Sequence, residues 1–214
     1  RNTAFQAAVF YKDIQDFFVD YSGAFAFAGN PITIAAGAAS SPLELETTLN
    51  GDSATLLGVE LAYSQNFTFL PGPLSGLFAQ ANATWIDSEA EAPFVRPGET
   101  FTLPGQPDYL FNLSLGWEND WATFRLAGNW VGESLEGISG PSTTYRDLIG
   151  NAYFGLDASA QFSLTDNLRL SIEGSNLNEA QDEVVYRGTP QTGPLFQQVE
   201  QFGRTVTVGL TARF

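Results

Sequence analysis

An antiparallel, up-and-down β-barrel that crosses a membrane is the fold class this sequence predicts, and three observations carry it. Segments of about 10 residues alternate apolar and polar side chains with a period of two, which puts one kind on each face of a strand. Tight turns between these segments alternate with long polar connections, as in barrels with short turns on one side of a membrane and long loops on the other. The composition agrees. Of the 214 residues 14% are aromatic and only 15% charged, against about 25% charged in an ordinary soluble domain, and no apolar run approaches the roughly 20 residues of a spanning helix.

In chain order, the first segment sets Phe5, Ala7, Val9 and Tyr11 on one face, with Ala8 and Phe10 blurring the other. Next, Leu57, Val59, Leu61 and Tyr63 oppose Gly58, Glu60, Ala62 and Ser64; then Leu77, Ala79, Ala81, Ala83 and Trp85 oppose Gln80, Asn82 and Thr84. Tyr109, Phe111, Leu113, Leu115 and Trp117 face away from Asp108, Asn112, Ser114 and Gly116. Within 121–131, Ala122, Phe124, Leu126 and Trp130 oppose Thr123, Arg125 and Asn129. Within 153–164, Phe154, Leu156, Ala158, Ala160, Phe162 and Leu164 oppose Asp157, Ser159, Gln161 and Ser163. Leu168, Leu170 and Ile172 oppose Arg169, Ser171, Glu173 and Ser175 in the stretch 168–177. The last segment is the clearest: Phe202, Val206, Val208, Leu210, Ala212 and Phe214 lie on one face, with Arg204 their only charge, and Gly203, Thr205, Thr207, Gly209, Thr211 and Arg213 on the other. This makes about eight strands of the length a tilted membrane crossing requires.

Pro71-Gly72-Pro73, Glu118-Asn119-Asp120 and Thr165-Asp166-Asn167 are the tight turns, built from residues suited to them. The long connections fall near 22–54, 86–106, 135–151 and 178–200. Soluble sandwiches seldom alternate tight turns with loops beyond about 12–15 residues so regularly. With long loops outside and short turns in the periplasm, the final strand runs inward and every other strand falls into order. Aromatics gather near the strand ends, where rings sit at lipid headgroups: Trp85, Tyr109, Trp130, Phe154 and Phe202 at the outer end, and Phe67, Trp117, Trp121 and Phe214 near the periplasmic turns. Arg204 on the fatty face lies near the outer end, where it can reach lipid phosphates by snorkelling.

The net charge of −15, with one Lys (Lys12) and 8 Arg, argues against nucleic acid, whose phosphates require a basic surface. The absence of Cys removes disulfides and thiolate chemistry, and the absence of His removes the commonest metal ligand and general base. The residues call for no cofactor and mark no catalytic or metal site, so an enzyme is not expected. Inward carboxylates (Glu60, Asp108, Asp157, Glu173) resemble acid/base pairs of a hydrolase. The plainer reading is a water-filled lumen in which some pair with Arg125, Arg169 and Arg213. Asp87, Glu89, Glu91, Asp182 and Glu183 offer oxygen ligands to a divalent cation, but no calcium-loop spacing is present, and a solvated loop accounts for them. Asn66-Phe67-Thr68, Asn82-Ala83-Thr84 and Asn112-Leu113-Ser114 match the glycosylation pattern but fall in the expected membrane strands, where they read as chance. Phe94, Phe101, Tyr145, Tyr186 and Phe196 sit in the long loops, the usual place for ligand contact on a rigid scaffold.

The sequence resembles the barrel of TonB-dependent outer-membrane receptors. The likeness is carried in order by Ala8-Val9-Phe10-Tyr11-Lys12-Asp13-Ile14, Gly58-Val59-Glu60-Leu61, Leu103-Pro104-Gly105-Gln106-Pro107, Gly174-Ser175-Asn176-Leu177-Asn178 and the terminal strand ending in Phe214. The resemblance implies a longer protein of the bacterial outer membrane, with an N-terminal plug, a segment that engages TonB, and a barrel of about 22 strands. Residues 1–214 would then form one domain, the C-terminal portion of that barrel, without the plug. A chain that begins at Arg1, has no Met and shows no leader fits that expectation. The implied activity is energy-coupled uptake of a scarce nutrient such as an iron–siderophore complex. Its partners would be outer-membrane lipid, TonB through the N-terminal part, and an unidentified small-molecule ligand. Phe214, with Leu210 and Ala212 at alternate positions before it, looks like the signal read by the barrel-assembly machinery; a lipid-facing strand end is the plainer account, and both can hold. The alternative is a self-contained eight-stranded barrel with a structural or adhesion role. A barrel hydrolase ranks last for want of a nucleophile with a base.

Overall fold

The alternation becomes a single meandering sheet. The computed structural model describes residues 3–24, 26, 27, 30, 31, 33–36, 39–42, 44–138 and 146–213, with side chains between 21 and 46 outside the description. Eight long strands follow one another in chain order: β1 (Thr3–Gln15), β2 (Ser53–Asn66), β3 (Leu77–Glu91), β4 (Tyr109–Glu118), β5 (Ala122–Val131), β6 (Tyr153–Thr165), β7 (Leu168–Ser175) and β8 (Thr205–Ala212). Each is antiparallel to its neighbours in sequence. Among the described residues β1 and β8 are the two edges and do not pair with each other, so the sheet is open. Among the described residues the eight strands do not close on themselves, so the self-closed eight-stranded alternative is not the arrangement seen.

Register shows why the pattern dictates this pairing, since a slip of one residue would turn every side chain to the wrong face. Leu115 stands opposite Leu126, Leu126 opposite Ala158, Ala158 opposite Gly174, and Gly174 opposite Val206. One row down, Phe124 meets Ala160, Ala160 meets Ile172, and Ile172 meets Val208. These apolar rows remain open to the surroundings. Val9 is 72% exposed, Val208 66% and Leu126 46%, in keeping with a hydrocarbon-facing wall. The blurred alternation at Phe10 also has a cause. Phe10 stands opposite Gly58 on the inner face, and a Cβ at Gly58 would come within 2.1 Å of its ring. Phe78 covers Gly116 in the same way. An aromatic ring laid over a cross-strand glycine protects backbone that would otherwise be bare.

The tight turns form where expected. Pro71 leads into a 3₁₀ turn, Gly72–Gly76, which is tied to β4 by the Trp117 indole N–H donating to the Pro73 carbonyl at 2.6 Å. Asn119 closes the β4–β5 turn by accepting from the backbone N–H groups of Trp121 and Ala122.

The long connections depart from the expectation of plain polar loops. β2 begins at Ser53 and β3 continues to Glu91, so both run beyond the wall into segments read as loop. Phe18–Ala24 pairs with Glu44–Asn50. Ser134–Gly137, Leu148–Gly150, Gln181–Tyr186 and Leu195–Gln201 form a separate four-stranded sheet from two different connections. These segments are too short to have declared a period of two. A buried core lies here and not in the wall: Phe17, Val19, Ala54, Ala90, Ala92, Val95, Leu135, Ile138, Ile149 and Val185. A single sheet whose apolar face meets lipid encloses nothing, whereas at the mouth two layers meet and can exclude water.

Candidate functional site

Two girdles bound the apolar wall. Toward the long connections Trp130 lies between Phe111 and Phe154, with ring centroids at 5.1 and 4.3 Å, and Trp85 stands opposite Tyr109. Toward the tight turns Phe124 lies between Trp117 (5.9 Å) and Phe162 (5.5 Å), and Trp121 stacks on Phe162 at 6.2 Å. From Tyr109 to Trp117 is about 27 Å of strand, or about 21 Å of height at a tilt of about 40°, close to the apolar band of an outer-membrane barrel. Phe202, expected in the outer girdle, lines the polar cleft instead. Gly203 adopts φ 66° and β8 begins only at Thr205, which breaks the alternation between Phe202 and Val206. Arg204 has a protein partner as well: its Nε lies 3.1 Å from Glu179 Oε1 in an exposed ion pair.

On the inner face the sheet carries a polar cleft of about 540 Å³ over β3–β6, reaching the start of the outer sheet. Its floor is a ladder of carboxamides. Asn112 Nδ2 donates to Asn82 Oδ1 at 2.8 Å, and Asn129 Nδ2 donates to Asn112 Oδ1. Asn82, Asn112 and Asn129 share one level because they stand opposite one another on β3, β4 and β5. Two of the three glycosylation-like asparagines are thus committed to the lumen wall. Arg125 Nε donates to Ser114 Oγ at 2.6 Å. The expected pairing of inner carboxylates with Arg125, Arg169 and Arg213 does not form among the described residues, where the ion pairs are Arg96–Asp147, Arg187–Asp147 and Arg204–Glu179. Register keeps Glu60, Asp157 and Glu173 on three separate strands, β2, β6 and β7. Asp157 accepts the Asn176 backbone N–H at 2.8 Å, and Asp108 lies just ahead of β4. Asp87, Glu89 and Glu91 extend along the outer part of β3, while Asp182 borders the cleft.

At the outer end of β6 a corner of asparagines replaces a strand partner. β7 pairs with β6 only from Ala158 onward. Beyond that point Asn178 Oδ1 accepts from Leu156 N at 2.9 Å and Asn178 Nδ2 donates to the Phe154 carbonyl at 2.5 Å. The side-chain amide thus serves one backbone donor and one backbone acceptor of β6 at once. Asn176, at φ 53°, makes the same double contact with the Ala180 backbone and also donates to the Gly203 carbonyl. The Gly174–Asn178 stretch, singled out in the sequence as a motif, is this corner.

The mouth is tied at Asp147. Its carboxylate pairs with the Arg96 guanidinium, both side chains being 4% exposed, and with Arg187 Nε at 3.4 Å. One carboxylate therefore joins the three connections that follow β3, β5 and β7. Sequence reading missed Arg96 and Asp147; the available signal was a cation in an otherwise acidic, cation-poor loop. Of the expected loop contacts, Phe94 and Phe196 are exposed and Tyr186 partly so, whereas Phe101 packs edge-on against Phe17 at 6.4 Å and flanks the core. Tyr145 lies outside the described residues. Leu210 is on the apolar wall opposite Leu170, and Ala212 ends β8 opposite Leu168; Phe214 lies outside the described residues.

A family model described as "TonB dependent receptor-like, beta-barrel" matches residues 1–177, which takes in β1 to β7. No curated protein matches the chain at a significant level.

Proposed function

Because the chain belongs to the TonB-dependent receptor β-barrel family, whose members are receptors and transporters of the bacterial outer membrane, we propose that it forms the C-terminal wall of a receptor for energy-coupled nutrient uptake. The observation that carries this reading is the family match across β1–β7 together with an open meander whose edges await further staves. In a barrel of about 22 strands the remaining staves, a plug within the lumen and the segment that engages TonB belong to the rest of the receptor. An iron–siderophore complex is a cargo of suitable kind, reaching the mouth from outside and the polar inner wall thereafter. Leu210, Ala212 and Phe214 would present the terminal apolar row to the barrel-assembly machinery. Uptake tests the proposal. Deleting the gene and inactivating TonB in the producing bacterium should each abolish accumulation of the same cargo, followed as radiolabelled iron for a ferric complex. Undiminished accumulation without TonB would refute the energy-coupled reading.

A further inference from the structure

The connection between β2 and β3 differs in kind from the other two short turns. Glu118-Asn119-Asp120 and Thr165-Asp166-Asn167 carry charge, as turns in water do, whereas residues 67–76 carry none. Within that stretch Phe69 is 72% exposed and Leu74 52%. Singly exposed apolar residues are ordinary on a soluble surface; here the geometry decides. The turn bends toward the lipid-facing side. Trp117 belongs to the apolar row of β4, and its indole N–H donates to the Pro73 carbonyl at 2.6 Å. A Cβ at Gly76 would come within 2.1 Å of the Glu118 carbonyl, so glycine there lets the 3₁₀ turn lie flush against the end of β4. Phe67 borders an apolar hollow of the outer surface together with Leu115, Leu126 and Ala158 of the same wall. Its ring lies 5.9 Å from that of Phe69. The backbone of the turn also suits surroundings poor in water. The carbonyls of Phe67, Gly72, Pro73 and Leu74 accept, in that order, from the Leu70 N–H, the Ser75 hydroxyl, the Trp117 indole and the Leu77 N–H. Pro71 and Pro73 bring no N–H that would need an acceptor.

We propose that residues 67–76 form a wedge seated in the membrane, at the boundary between headgroups and acyl chains of the periplasmic leaflet, and do not stand in the periplasm. The partner is a phospholipid surface, and the continuity of the turn with the apolar wall through Phe67 and Trp117 points to it. Phe69 and Leu74 are its apolar contacts. With no charge of its own, the turn is held by apolar burial and selects no headgroup by charge. Full burial of either side chain favours the seated position over water by about 10-fold or more. Neither cargo nor TonB enters this assignment.

The test places a nitroxide on Phe69→Cys and, separately, on Leu74→Cys in the intact receptor, held in nanodiscs of phosphatidylcholine; the chain has no Cys of its own, so each label is unique within it. Leu126→Cys on the apolar wall is the lipid reference and Asp120→Cys in the neighbouring turn is the water reference. Unheated migration on a gel confirms that each variant is folded. Power saturation then reads access to oxygen, which concentrates in hydrocarbon, and to a water-soluble nickel chelate. Both turn labels should favour oxygen, with nickel access about 10-fold below that at Asp120→Cys. The same values should hold when phosphatidylglycerol is mixed into the discs. Nickel access equal to that at Asp120→Cys would put the turn in water, open to a periplasmic protein, and would overturn the assignment. Low access to both reagents would mean burial against protein and would overturn it equally. Seating that needs phosphatidylglycerol would make charge the cause and refute the apolar account.

Discussion

Leu126 and Ala127 are neighbours on β5 that the sheet turns to opposite media. Leu126 stands in the apolar row between Leu115 and Ala158, and Ala127 between Ser114 and Asp157. Along the strand Leu126 is about 14 Å from Trp130 of one girdle and about 17 Å from Trp121 of the other, which places it near the middle of the bilayer. Leu126→Arg should therefore destabilise the barrel by about 2–4 kcal/mol, the penalty for a cation at the lipid midplane. Ala127→Arg places the same side chain in water beside Asp157 and should stay within about 1 kcal/mol of the parent. The intact receptor, unfolded reversibly by guanidinium in phospholipid vesicles and followed by tryptophan fluorescence, gives both numbers. A gap of about 2 kcal/mol corresponds to about a 30-fold difference in folding equilibrium. If the two variants unfold alike, or Ala127→Arg is the weaker, the assignment of faces is wrong and the membrane-spanning reading fails with it.

Other positions give sharp tests. Gly58→Val should lower stability by about 1–3 kcal/mol by forcing a methyl into the Phe10 ring, and Phe10→Ala should remove most of that penalty in the double variant, read as midpoints of unfolding. Asp147→Asn removes the carboxylate shared by Arg96 and Arg187; loosening on the order of 3 kcal/mol should appear as faster hydrogen exchange in Leu148–Gly150 and Gln181–Tyr186, with β4 and β5 unchanged. Asn178→Ala deprives β6 of two hydrogen bonds, and the Leu156 amide should exchange faster by a factor set by about 1–3 kcal/mol. Phe214→Ser should reduce the fraction of receptor that reaches the outer membrane in heat-modifiable form, without changing the unfolding midpoint of the barrel that does assemble by more than about 1 kcal/mol.

The wall was legible because its two faces meet solvents of opposite kind, and a period of two records that contrast at every residue. Strands were readable even where one position broke the rule, since Leu57, Val59, Leu61 and Tyr63 set the face of β2 despite Phe10 opposite Gly58. Turn residues fixed the order, so the antiparallel meander followed without knowledge of contacts. The pattern failed where the environment stopped alternating. Beyond Trp85 the inner positions Ile86, Ser88 and Ala90 of β3 become buried under the mouth, and apolar residues appear on the side that was polar below. Phe202 was misassigned for a related reason: a single glycine at positive φ resets parity, and a one-residue count carried through Gly203 could not register it.

The chemistry of the site was less legible than the wall because it consists of partnerships between distant residues. Asn82, Asn112 and Asn129 read singly as polar lumen positions; only register makes them a ladder with a spare acceptor at one end and a spare donor at the other. Asp147 reads as one acid among 24 Asp and Glu, yet it is the acid that burial singles out, because a carboxylate removed from water must find cations. The corner at Asn176 and Asn178 shows the same logic from the other side. β7 leaves the barrel sheet before β6 does, and the backbone groups of Phe154 and Leu156 then need partners that no strand supplies. A carboxamide is the side chain that can both accept and donate in the spacing of a peptide group, which is why Asn at position 178 meets that need where Asp or Leu could not. The motif is thereby explained by the unmet hydrogen bonds of a neighbouring strand, and its loss should loosen β6 before it loosens β7.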